Sequence, residues 1–319
     1  MVVHSTAPGP GTPHPPARVT ACHGTIGTMT SPTSPIPAEA LQAITKTFII
    51  AHDRDDDAAL AQALVYNAGR LAWRMREAGL TTEYKTSVSD VVTAADNAAE
   101  QFIAETLHTL RPEDGLLGEE GTSASSHSGR TWVIDPVDGT YNFTTGSDYW
   151  CSALSLVEGD PDDPDLIHFG AVHRPAMGYT WFGGADFPTS LDGRPVGRLD
   201  DGGRNLAPAA TCLGGYLHPT DIADPTVNEV YTSVVREFAT VRWNGSASVD
   251  LGNVSQGNNG CWMQHSVLPW DLLPGRALVE GAGGQVERVT AGGKLWSVAG
   301  TPASVGRVVE ILRSAGDGS

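Results

Sequence analysis

The sequence predicts a layered α/β protein, and three observations carry that prediction. Between Ala58 and Ala78 the apolar residues Leu60, Leu64, Leu71 and Met75 recur at helical spacing. Three apolar, strand-like runs follow at Trp132–Ile134, Cys151–Val157 and Ile167–Arg174. Helix-like and strand-like segments then alternate to the C-terminus, an order that favours stacked layers over a purely parallel, doubly wound array.

In chain order, residues 1 to about 38 are rich in Pro, Thr, Ser and Gly, lack periodic apolar content and read as a disordered leader. Translation from Met29 is an alternative to Met1. The foldable chain is then 39–319. The acids Asp53, Asp55, Asp56 and Asp57 suit the N-terminus of the 58–78 helix, as a solvated first turn rather than a metal site. A second helix spans Ala95–Leu110, and Pro112 ends it. Gly159–Asp165 reads as a solvated hairpin loop, because its acids lack the spacing of an EF-hand. In the second half Thr226–Ala239 is helical, Thr240–Trp243 extended and Ser246–Val254 helical. A strand near Gln285–Val289 and a helix at Ser304–Ser314 close the chain. No internal repeat is present.

Composition narrows the function. A formal charge of −17 argues against nucleic acid or an anionic membrane as partner. The same charge is awkward for a protein that handles phosphate, unless bound cations invert the local potential. The four cysteines, Cys22, Cys151, Cys212 and Cys261, are scattered, without a CxxC pair, and read as free thiols in a reducing cytoplasm. No apolar run is long enough to span a membrane, and no secretory signal is recognisable. The expectation is a cytoplasmic protein.

The most informative stretch is Trp132-Val133-Ile134-Asp135-Pro136-Val137-Asp138-Gly139-Thr140. An apolar run ends in two acids three positions apart, and Gly and Thr follow where a helix can begin. Two carboxylates and free backbone N–H groups at a strand end can hold divalent cations and a phosphate together, since hard cations take oxygen ligands and helix starts take anions. The chemistry expected is metal-dependent hydrolysis of a phosphate ester.

Asp135-Pro136-Val137-Asp138-Gly139-Thr140 also resembles the central motif of the inositol monophosphatase family. Three further segments match in order: Lys85 with Asp90 and Asp96, the Gly118-Glu119-Glu120 turn, and Trp270-Asp271. Together they span roughly residues 57–313. The resemblance implies an α/β/α/β/α sandwich of the inositol monophosphatase and fructose-1,6-bisphosphatase type, with two abutting lobes at approximately 39–195 and 196–319. It also implies a homodimer and lithium sensitivity.

Roles follow from the same resemblance. Glu119, Asp135 and the Val137 carbonyl are expected to hold a first metal, and Asp135, Asp138 and Asp271 a second. A third, weaker ion would share Glu119. Two carboxylates about 4 Å apart repel by roughly 4 kcal/mol at an effective dielectric near 20, so cations are needed. An all-oxygen set favours Mg²⁺ or Mn²⁺ over zinc. Thr140, supported by Asp96, would orient the attacking water, and the Gly139 and Thr140 N–H groups would cradle the phosphate. Glu120 is either an outer support or a surface ion-pair partner. Lys85 and Asp90 read as supports, and Trp270 as a core residue behind Asp271.

Gly245-Ser246-Ala247 resembles the segment that faces the substrate's hydroxyls, and Gln264 stands where the family's inositol phosphatases usually carry glutamate. An amide still donates and accepts hydrogen bonds but lacks the charge. Pro274, in Trp270-Asp271-Leu272-Leu273-Pro274-Gly275, is tolerable in the first turn of a helix. The leading substrate is myo-inositol monophosphate. Histidinol phosphate is an alternative, as are fructose 1,6-bisphosphate and a phosphoadenosine nucleotide, for which Arg242 and Arg276 are the nearby cations. A regulatory protein that has kept the fold without catalysis is a further alternative, one that expects a decayed ligand set.

Overall fold

Helices and strands alternate through the chain in the computed structural model, which describes residues 36–79, 82–84, 91–199 and 206–316. The first half contains α1 (Ala38–His52), α2 (Asp57–Ala78), β1 (Thr82–Tyr84), β2 (Val91–Thr93), α3 (Ala94–Leu110), β3 (Gly115–Gly118), β4 (Ser123–Ala124) and β5 (Arg130–Asp138). It continues with α4 (Thr140–Thr144), β6 (Cys151–Asp160), β7 (Asp163–Arg174), β8 (Tyr179–Gly184), β9 (Phe187–Leu191) and β10 (Arg194–Pro195). The second half contains β11 (Cys212–Gly215), α5 (Pro219–Ala223), α6 (Pro225–Val235), β12 (Thr240–Arg242), α7 (Ala247–Ser255), β13 (Cys261–His265), α8 (Pro269–Gly281), β14 (Gln285–Ala291), β15 (Lys294–Gly300) and α9 (Pro302–Gly316). Cys22, Met29, Lys85, Asp90 and nearly all of the Pro-rich leader lie outside the described residues.

Two large sheets organise these elements. One has eight strands in the order β10-β9-β8-β7-β6-β5-β3-β4, and the other five in the order β12-β11-β13-β15-β14. Alternation along a strand assigns its faces. Trp132 and Ile134 of β5 pack with Leu60, Leu64, Phe102 and Ile103 of α2 and α3. Val133 points the other way and packs with Leu273 and Ala277 of α8. The opposite flank of this middle helical layer meets the second sheet, where Leu251 and Val254 of α7 and Leu272 and Val279 of α8 cluster with Trp262 and Ala299. Beyond that sheet, α6 and α9 bury Val230, Val234, Val308 and Leu312 against Leu213, Met263 and Val298. The result is the α/β/α/β/α sandwich.

The elements differ from the sequence reading in ways that have physical causes. Helix α1 is an element beyond those that the sequence predicts, and Leu41, Thr45 and Phe48 give it a buried stripe. The Gly159–Asp165 loop is mostly strand: β6 runs to Asp160 and β7 starts at Asp163, so the pairing of a long hairpin overrides the turn-forming residues. Helix α6 stops at Val235, short of Ala239. Helix α8 starts at Pro269, which makes Pro274 its sixth residue rather than a first-turn proline. Cys151, Cys212 and Cys261 are buried free thiols, as expected.

The acid cluster ahead of α2 is more than a solvated turn. Asp56 caps the helix by accepting the Ala59 N–H at 2.8 Å. Asp57 pairs with Arg111 at 2.5 Å and Arg130 at 2.7 Å. Arg130 also pairs with Asp114 at 2.8 Å, and the Trp132 indole donates to the same carboxylate at 2.9 Å. Asp114 therefore joins the start of β5 to the ends of α2 and α3. Asp114→Ala would strand the Trp132 N–H and weaken the hold on Arg130, and should destabilise the protein by about 3 kcal/mol. The check is a lowered urea midpoint at constant m value.

Candidate active site

Two acids three residues apart on a regular strand point to opposite faces, because side chains alternate. Strand β5 escapes this by bulging. Asp135 sits opposite Ala153 and Asp138 opposite Cys151, so β5 spends one more residue than β6 between the two pairs. The extra residue cancels the alternation. Asp135 keeps the face of Val133, toward α8, and Asp138 is returned to it. Helix α8 carries Asp271 in its first turn. One carboxylate oxygen from each of Asp135, Asp138 and Asp271 lies within 4.8 Å of the others.

The rest of the neighbourhood shapes this trio. The Glu119 N–H donates to the Ile134 carbonyl at 3.2 Å, which fastens the Gly118-Glu119-Glu120 turn to β5. Glu119 lies outside the tight trio, but its charge helps to raise the Asp135 pKa. From α3, Glu100 accepts the N–H groups of Glu120 at 2.8 Å and Thr122 at 2.9 Å. A side chain at Gly118 would collide with this carboxylate, since a Cβ there stands 2.5 Å from it. Asp138 accepts the Ala247 N–H at 3.0 Å and the Ser248 N–H at 2.5 Å, and so caps α7.

Burial is the main reason that these acids resist ionising. Desolvation, then the charges of Glu119, Asp138 and Asp271, push Asp135 well above the ordinary carboxylate range. Burial raises Asp138, while its bonds from Ser248, Ser246 and Ala247 oppose the shift. Burial and the Asp138 charge raise Asp271 to about 7. One Asp135 oxygen accepts the Val137 N–H at 3.1 Å, but its buried Oδ2 has no hydrogen-bond partner. An orphaned carboxylate oxygen within an all-oxygen acid trio fits a hard divalent cation such as Mg²⁺ or Mn²⁺.

A second group lies alongside. Asp96, fully buried on α3, accepts from the Thr93 N–H at 3.0 Å and from the Thr93 hydroxyl. Burial lifts it to about 7 despite the Thr93 bonds, with the Glu120 charge adding to the rise. The Thr140 hydroxyl reaches Asp96 at 3.2 Å and the Val137 carbonyl at 3.0 Å. With one hydrogen to give, it donates to one of them at a time. Gly139 adopts φ 94° at the start of α4, a left-handed conformation that favours glycine.

A cavity of about 170 Å³ opens beside Asp138 and Asp271, lined also by Gly139, Gly245, Ser246, Ala247 and Gln264. Every residue expected to face the substrate except Thr140 lines it. Asp135, Thr140, Asp96, Glu119 and Val137 stand outside its lining. Four lining residues were not foreseen: Gly215, Tyr216, Asp250 and Trp262. Trp262 lies two residues before Gln264 on β13, so alternation from Gln264 could have found it. Gly215 and Tyr216 carry no comparable signal.

Residues 53–311 match the inositol monophosphatase family, and the chain belongs to it. The fold and the acid cluster agree with this match, which is to a family of phosphatases. A Streptomyces griseus protein named glucose-1-phosphate thymidylyltransferase is 29% identical over 273 residues, covering 83% of this chain and 99% of that protein. The histidinol-phosphatase of Mycobacterium tuberculosis is 31% identical over 235 residues, covering 72% and 86% respectively. The structure of the Bartonella henselae extragenic suppressor protein SuhB superposes with a TM-score of 0.69 at 23% identity, over 80% of this chain and 97% of that one.

The raised carboxylates make stability depend on pH. Asp96 and Asp271 have folded pKa values of about 7 against an ordinary 3.8, so the folded state holds more protons than the unfolded state between those values. Stability therefore falls as pH rises through that window. In chelator, Tm should be lower at pH ~8 than at pH ~5. Excess Mg²⁺ should raise Tm at the higher pH, with little effect at the lower, and differential scanning calorimetry would show both.

Proposed function

We propose that this chain is a Mg²⁺-dependent hydrolase of a polyol phosphate monoester, with myo-inositol monophosphate as its leading substrate. The buried, unpartnered Oδ2 of Asp135, set among three converging carboxylates, carries this reading. Glu119, Asp135, the Val137 carbonyl, Asp138 and Asp271 would hold two ions, with Asp135 shared between them and a third ion sharing Glu119. When bound, such ions polarise the phosphoryl group, lower the pKa of the attacking water and stabilise the leaving oxygen.

The chain's own groups supply the rest. Asp96 accepts the Thr140 hydroxyl hydrogen, which leaves the Thr140 oxygen lone pairs to orient a water for attack on phosphorus. The N–H groups of Gly139 and Thr140 face the phosphate. The water oxygen joins phosphorus and gives up one proton, the phosphorus bond to the alcohol oxygen breaks, and that oxygen takes up one proton, so the products are the alcohol and inorganic phosphate. Gly245, Ser246, Ala247 and Gln264 receive the alcohol.

The cavity lining favours an ester with a single phosphate. Among the described residues it includes no Lys, Arg or His that could meet a second phosphate. Arg242 donates to Asn259 at 3.0 Å and Arg276 to Glu280 at 2.8 Å, so both cations are engaged elsewhere. This weighs against fructose 1,6-bisphosphate and phosphoadenosine nucleotides. It weighs equally against the nucleotide chemistry in the name of the Streptomyces griseus relative. Histidinol phosphate carries an ammonium group, and Gln264 offers that group no charge.

Phosphate release at pH ~8 with Mg²⁺, measured in parallel on inositol 1-phosphate, histidinol phosphate, fructose 1,6-bisphosphate and phosphoadenosine phosphate, tests the proposal. The highest kcat/KM should fall on inositol 1-phosphate. Asp135→Asn should lower kcat by on the order of 10³-fold. Preference for another ester would replace the substrate, and no release from any of them would remove the hydrolase reading.

A further inference from the structure

A polar network that the proposed chemistry does not use ties the cavity wall to the start of β6, a central strand of the first sheet. Asp250, in the first turn of α7, lines the cavity yet is only 1% exposed. Its Oδ1 accepts the Tyr149 hydroxyl at 2.6 Å and the Asn244 side-chain amide at 3.2 Å. The Gly215 backbone N–H also faces this carboxylate. The Tyr149 hydroxyl in turn accepts from Asn253 at 3.1 Å. On α4, the Asn142 side-chain amide donates to the carbonyls of Tyr149 at 2.8 Å and Asn244 at 2.6 Å, and the Gly245 carbonyl lies 3.2 Å from the same nitrogen.

A carboxylate this enclosed takes its donors from the chain around it. The groups that it holds are the ones that face the cavity: the strand end at Gly215 and the turn that leads into Gly245, Ser246 and Ala247. Tyr149 stands two residues before Cys151, the residue that pairs with Asp138. The network thus sets the distance between the acid end of the cavity and its opposite wall.

We propose that Tyr149 and Asp250 are positioning residues for the alcohol half of the substrate, acting through Gly215 and the Asn244–Ala247 turn. This rests on the phosphomonoesterase reading above. The pair holds the wall that a polyol touches and leaves the acid trio in place, so its loss weakens binding of the polyol more than turnover.

The test compares wild type, Tyr149→Phe and Asp250→Asn on inositol 1-phosphate and on p-nitrophenyl phosphate, whose leaving group has no polyol hydroxyls. Tyr149→Phe should raise KM for inositol 1-phosphate about tenfold, with kcat changed less than twofold and KM for the nitrophenyl ester nearly constant. The Tyr149→Phe/Asp250→Asn double variant should be no worse than the poorer single variant, as expected for one unit. Asn244→Ala removes another donor to the same oxygen from a partly exposed turn and should shift KM in the same direction, even if Tyr149→Phe does not fold. Equal losses on both esters, a fall in kcat alone, or unchanged constants would overturn the positioning role while leaving the hydrolase reading intact. Wild type that cleaves neither ester would remove the hydrolase reading, and this proposal with it.

Discussion

Three carboxylates drawn into a buried corner repel one another and resist ionising, and much of the structure around them is arranged to hold them there. The bulge in β5 turns Asp138 onto the face of Asp135. The middle helical layer brings the first turn of α8, and with it Asp271, against that face. Burial and mutual charge push Asp135, Asp138 and Asp271 above the ordinary carboxylate range. Alone, this arrangement destabilises the folded chain at neutral pH. Bound divalent cations would offset it, and their positive charge would suit a phosphate ester.

The supports of the trio come from both sheets. Asp96 and Glu100, one helical turn apart on α3, reach Thr140 and the Glu119 turn respectively. Asp138 ties β5 to α7 across the gap between the halves of the chain. Tyr149 and Asp250 make a second tie a short distance away. The site is thus built where the two sheets share a layer of helices. That shared layer explains why residues 100 or more positions apart can be held at hydrogen-bond distances.

Much of the site was legible in the sequence because it is encoded in short, local patterns. An apolar run ending in Asp135 and Asp138, a later Trp270-Asp271, and Gly118 before Glu119 are visible without coordinates. What depends on register was not. The one mark of the bulge in residue types is Pro136, which cannot donate to a central ladder; that Asp135 and Asp138 share a face appears only in the pairing with β6. Gly215, Tyr216 and Asp250 enter the cavity through contacts between distant elements. Helix α1 has only a narrow buried stripe, and β6 and β7 extend through Gly, Pro and Asp residues because pairing outweighs local preference. The α/β/α/β/α layering came from the family resemblance; the alternation of helix and strand gave no more than stacked layers.

The most direct test of the account is calorimetric titration of Mn²⁺ into metal-free protein at pH ~7, repeated in buffers of different ionisation enthalpy. Carboxylates with raised pKa values must lose protons when a cation binds. The account predicts saturable binding with proton release, and both should be lost in Asp135→Asn. Binding without proton release, or binding that survives Asp135→Asn unchanged, would contradict the claim that the acid trio is built around a cation.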